Sequence, residues 1–155
     1  MDTVKIARYR NFPYTVNYKS TNGGGLTTYQ WAGSVGKKYD VKEVPTEVVD
    51  WLMMTSVCFK DGELKIIEDS QVAKDVVDNI TDPESYKNNT HTREEIVKIL
   101  EGNINKMKSE LSKITVQSEK QYVLDVAKEI KLDAASKQKF IAEWIGAPAH
   151  ILFDE

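Results

Sequence analysis

The stretch from Lys38 to Glu68, KYDVKEVPTEVVDWLMMTSVCFKDGELKIIE, constrains the fold more than any other part of the chain. It reads as strand, short helix, turn, strand. Tyr39, Val41 and Val44 lie in an extended run that stops at Pro45. Proline presets its own φ and suits a helix start, where a missing N–H costs nothing. Glu47 and Asp50 then put negative charge near the N-terminus of a helix, where the backbone dipole favours it. Val48, Val49, Leu52 and Met53 recur at helical spacing and give that helix one apolar face. Asp61-Gly62 signals a turn, and Leu64, Ile66 and Ile67 follow as a β-prone run.

Three more strand-like segments can be read beside it. Residues 3–8 and 13–18 alternate or are rich in β-branched and aromatic residues, with Asn11 and Pro13 marking the turn between them. Residues 26–31 form a third strand, with Tyr29 and Trp31 on one face, and 39–44 and 64–67 complete the set. Thr21 to Gly25 reads as a flexible turn. These short strands with one inserted helix predict a small twisted sheet or partly open barrel over residues 1–68. Trp31, Trp51, Phe12, Phe59 and the tyrosines are expected to supply much of its core.

Residues 69–92 read as a connector. Ser70 caps a short helix carrying Val72, Val76, Val77 and Ile80, Asp82-Pro83 ends it, and a polar run through Thr92 marks the boundary. Residues 93–155 switch to helical periodicity. Thr92 and Glu95 form a capping box, and Ile96, Leu100, Ile104, Met107, Leu111 and Ile114 follow as one apolar stripe. Gly102 marks a kink or a break into two helices. Ser118 to Gln121 repeats the capping box, Asp133 is the expected cap of the next helix, and Gly146 with Pro148 ends it. The class is α+β, a β-rich module followed by an antiparallel helical bundle.

Composition removes several classes of function. A formal net charge of −3 over 155 residues gives no general drive toward nucleic acid or membrane. No apolar run approaches the roughly 20 residues of a membrane span, and the first residues lack the apolar core of a signal peptide. The single cysteine, Cys58, fits a reducing compartment or an assembly that does not rely on disulfides. Charge is uneven. Residues 1–44 carry seven bases against three acids, and residues 45–92 four bases against ten acids. Surfaces of different sign follow, although solvated strand faces account for much of this.

Chemistry-bearing patterns are sparse. His91, His150 and Cys58 lack metal-ligand spacing, so no metal site and no cofactor are expected. Cys58, between Val57 and Phe59, reads as a small buried hydrophobe. Gly23-Gly24-Gly25 lacks the remainder of a phosphate-binding loop. An enzyme is not expected. Arg8, Tyr9, Arg10, Tyr14 and Tyr18 interleave bases with aromatics, the chemistry of single-strand nucleic-acid platforms. A nucleic-acid-binding regulator is therefore the alternative reading, against strands whose rings simply face the core. The terminal Ile151-Leu152-Phe153 is too apolar for a loose end. It either packs on its own bundle or docks in a groove on a partner.

The pattern Tyr39-Asp-Val-Lys-Glu-Val-Pro45, a helix with Trp51-Leu52, then Phe59-Lys-Asp-Gly-Glu-Leu64-Lys-Ile66 resembles small accessory virion proteins of tailed bacteriophages. The segments Glu119 to Glu129 and Ser136 to Gly146 are similar to helices of phage-encoded proteins. The resemblance implies a head, neck or tail component, such as a decoration or connector subunit. Such a protein works through surfaces, with no catalytic residue to carry over. Its partners would be a viral capsid, portal or tail assembly, with no membrane involved. Its place would be the virion, assembled in the host cytoplasm, or otherwise the cytoplasm. Alone it is expected to be monomeric or weakly associated.

Overall fold

The computed structural model describes residues 2–19, 25–80 and 82–153. The Thr21 to Gly24 part of the expected glycine-rich turn lies outside the described residues. The chain forms two compact units, 1–90 and 91–155.

The first unit holds strands β1 (Thr3–Arg8), β2 (Tyr14–Lys19), β3 (Leu26–Trp31), β4 (Asp40–Pro45) and β5 (Lys65–Ile66), with helix α1 (Thr46–Thr55) between the last two. The strands pair as two antiparallel sheets, ordered β4-β1-β5 and β2-β3, and they do not close into a barrel. Of the expected twisted sheet or partly open barrel, the described strands form small sheets. Trp31 joins them. Its ring is fully buried and its indole N–H donates to the Ile6 carbonyl at 2.9 Å. Val4, Ile6 and Val44 face Val48, Val49 and Leu52 of α1 within one core. Pro45 precedes the helix as expected, and β1 pairs Thr3 with Pro45 through Arg8 with Asp40.

Residues 69–90 belong to this core. They are not a connector. Helix α2 (Gln71–Asp78) starts where Ser70 accepts a hydrogen bond from the Ala73 N–H. Ala73, Val76 and Ile80 are buried. Asp82-Pro83 does not end a helix. It starts α3 (Pro83–Asn88), with Asp82 accepting from the Ser85 N–H and proline in the first turn. The polar look of residues 82–90 hid Tyr86, which is buried against Phe59 and accepts the free N–H of Ile66 at 2.9 Å. A sheet this small needs such covering to bury enough surface.

The second unit is helical: α4 (Arg93–Glu101), α5 (Ile104–Leu111), α6 (Gln117–Glu129), α7 (Ala135–Ile145) and α8 (Ala149–Phe153). The Thr92–Glu95 capping box is formed in both directions. Gly102 breaks the apolar stripe into two helices, the second capped by Asn103. Ile96, Leu100, Met107 and Leu111 are all fully buried, so the stripe survives the break. Two expected caps are displaced. Helix α6 follows Val116, two residues before Ser118, and α7 follows Ala134 where Asp133 was expected; neither has a side-chain cap.

Candidate functional site

The five residues singled out for nucleic acid lie on β1, β2 and the turn between them, and they point into the unit. β1 begins with alternating exposure and ends with three successive buried residues. Arg8 donates to the Phe12 carbonyl at 2.8 Å, to the Glu63 carbonyl at 2.7 Å and to the Glu63 carboxylate at 3.3 Å. Arg10 pairs with the other Glu63 oxygen and donates to the carbonyls of Asp61 at 2.8 Å and Asn89 at 3.0 Å. Both arginines are 3% exposed. Burial depresses the Arg8 pKa, and the Glu63 carboxylate opposes that shift. Guanidinium keeps its charge throughout.

This network clasps the 61–63 turn to the end of α3. Gly62 makes it possible. Its φ is +74°, and a Cβ there would collide with the Asn89 carbonyl. The rings are engaged too. Tyr9 is buried against Tyr39 with centroids 4.7 Å apart. Tyr18 is buried edge-on to Trp51 at 5.3 Å. Half-buried Tyr14 lies under Arg8, its pKa pushed up to about 12 by burial and by neighbouring Cys58. The exposed cationic platform expected of these five residues is therefore absent. A β-strand pattern could not reveal that a carboxylate on a distant turn would draw both arginines inward.

The expected tail residues form α8. Ile151 is exposed, while Leu152 and Phe153 are half-buried along a groove of about 550 Å³ with Ala127, Lys128, Leu132 and Gln138. The tail rests on its own unit yet buries no residue completely. His91 and Glu119 meet at 2.8 Å, with Glu119 buried, and so use each other. Among the described residues no group of three or more His, Cys, Asp or Glu is placed to hold a metal ion. No described helix is long and apolar enough to cross a membrane.

Two surfaces on the first unit were not legible in the sequence. One is a corner where Phe12 and Val35 are 67% and 75% exposed, next to Lys37, Lys38 and half-exposed Tyr39. Phe12, expected in the core, is exposed in the turn between β1 and β2, where its carbonyl accepts from the buried Arg8 side chain. The second is a groove of about 590 Å³ between the ends of α1 and α2, lined by Met53, Met54, Val57, Phe59, Lys60 and Ile80. Met54 there is 86% exposed.

Residues 2–82 match the family model of the YonA N-terminal domain, and residues 92–150 that of the YonA C-terminal domain. The chain belongs to the YonA family. YonA is the name of a phage-encoded protein, consistent with a phage-related chain. No curated protein and no solved structure matches the chain significantly. The two YonA domains meet between residues 82 and 92, and the two compact units divide after Thr90.

Proposed function

We propose that this YonA-family chain is a non-enzymatic structural or assembly protein of a bacteriophage particle, in a decoration, connector or similar accessory role. The observation that carries the reading is apolar surface left in solvent on a unit that has already closed its own core. Contiguous apolar exposure marks interaction sites. A family named for a phage-encoded protein supports it. So does the state of the reactive groups. Arg8, Arg10 and Glu63 bind one another, and burial pushes the Cys58 thiol up to about 11, far from nucleophilic at neutral pH. The partners are other virion proteins of a capsid, portal or tail assembly.

The test is to tag the chain in its phage, band the particles on a density gradient and quantify the tag. A fixed ratio to the major structural proteins is expected. Tag found only in unbanded lysate overturns the reading. Deleting residues 149–155 in the same experiment asks whether α8 makes the contact. Unchanged banding removes the tail as the docking element.

A further inference from the structure

The nearly balanced charge of the second unit conceals a separation of sign. Helices α5 and α7 and the segment leading into α6 hold Lys106, Lys108, Lys113, Lys120, Lys137 and Lys139. The same elements hold Glu110, Glu119 and Glu143. Glu110 pairs with Lys113 at 3.6 Å, and buried Glu119 pairs with His91. Glu143 is exposed. The other acids of the described unit lie on α4, on the latter half of α6 and at Asp133 beyond it. Lys106, Lys108 and Lys139 are exposed and form no ion pair among the described residues.

Two rings lie among these cations. Phe140 and Trp144, four residues apart on α7, stack with centroids 6.4 Å apart and planes 15° apart. Both are half-buried beside fully buried Ile141. Packing accounts for the inner part of each ring, and the outer part meets lysine. The Lys108 amine of α5 is 5.9 Å from the Phe140 centroid, and the Lys120 amine of α6 is 5.3 Å from that of Trp144. Lys120 also donates to the Trp144 carbonyl at 3.4 Å. A lysine amine on its flexible stem can turn from a ring to a phosphate and leave the ring to a base.

We propose that this face of the second unit binds single-stranded nucleic acid, with bases against Phe140 and Trp144 and phosphates on the lysines around them. Aromatic platforms set in a cationic surface are the chemistry that takes unpaired strands. A duplex keeps its bases stacked inside and gives these rings nothing to hold. An acidic polypeptide engages the lysines and leaves the rings unused. The inference goes beyond the assembly role and does not depend on it. It also moves this chemistry away from the N-terminal strands, where Arg8, Arg10 and Tyr9 are engaged within their own unit.

Fluorescence anisotropy of a labelled oligothymidylate of about 16 nucleotides, the upper end of one module's site, tests this on the full chain. Saturable binding is expected at low salt and protein concentrations up to about 0.1 mM, the weak end of electrostatic binding. The logarithm of affinity should fall linearly with that of salt, and Lys106→Ala and Lys108→Ala should each reduce the slope by about 0.7. Trp144→Leu should weaken binding about tenfold through lost stacking and leave the slope unchanged. Lys98→Ala, exposed on α4 outside this face, should bind as the parent chain does. Unlabelled strand should compete far better than duplex of equal length or polyglutamate. Melts followed by circular dichroism check that the variants are folded, and Phe140→Leu replaces Trp144→Leu if that chain is not. No saturable binding at low salt, or equal competition by duplex or polyglutamate, overturns the inference. A folded ring variant that binds unchanged overturns it as well. So does a loss for Lys98→Ala equal to that for Lys108→Ala, because charge anywhere on the unit would then suffice.

Discussion

Glu63 holds two buried guanidinium groups with one carboxylate, and its removal is the most damaging single change open to the Arg8–Arg10 network. Glu63→Gln should lower stability by about 2–3 kcal/mol, less than a fully buried pair because the carboxylate is partly exposed. Urea unfolding measures it, and an effect under about 0.5 kcal/mol would mean the network is solvated. Cys58 gives a pH signature. Its thiol titrates near 11 in the folded chain and at 9.0 in the reference state, because burial disfavours the thiolate. Between those values the unfolded chain has released its proton and the folded chain has not. Stability therefore falls as pH rises through that window. Tyr14, raised from 10.0 to about 12, extends the fall upward. Cys58→Ala should remove the lower part of the fall and shrink the upper part, because Cys58 adds to burial in raising Tyr14, as read from urea midpoints across alkaline pH.

At the scale of elements, helix ends show what local chemistry decides. α6 ends with Lys131 at φ +56°, while the Leu132 N–H reaches the Ala127 carbonyl and the Lys131 N–H that of Lys128. That is the Schellman arrangement with lysine where glycine is usual. Lys131→Gly should therefore raise stability by about 1 kcal/mol, relieving the left-handed strain. α7 has Gly146 at the equivalent place, at φ +93°, and Gly146→Ala should cost a similar ~1 kcal/mol. Thr92→Ala removes half of a complete capping box and should also cost about 1 kcal/mol. Thermal unfolding of the three variants separates these signs. The box at Thr92 was legible because both of its halves lie within four residues. The starts of α6 and α7 were not, because Val116 and Ala134 offer no side-chain cap and packing sets the first turn.

For the whole molecule, the two compact units predict two cooperative bodies. Chains of residues 1–90 and 91–155 expressed separately should each keep the circular dichroism of their part and melt cooperatively. The first fragment must include α2 and α3. A version ending at residue 68 loses Ala73, Val76, Ile80 and Tyr86 from its core and should not fold. Cooperative melting of that shorter chain would contradict the assignment of 69–90 to the first unit.

Local pattern alone determined the α+β class, the five strands, the helix after Pro45 and the Thr92 cap, because each depends on neighbours in the chain; at Gly102 it left a kink or a break, and the structure shows the break. Tertiary structure decided the rest. Arg8 and Arg10 turn inward because Glu63, Asp61 and Asn89 reach them from more than 50 residues away. Tyr86 became core because Ile66 needed an acceptor and Phe59 a neighbour. Phe12 and Val35 are exposed on turns whose backbone takes part in hydrogen bonds. Periodicity reports which face of an element is apolar. It is silent on which distant polar group will satisfy a buried one, and here that choice shaped the surface.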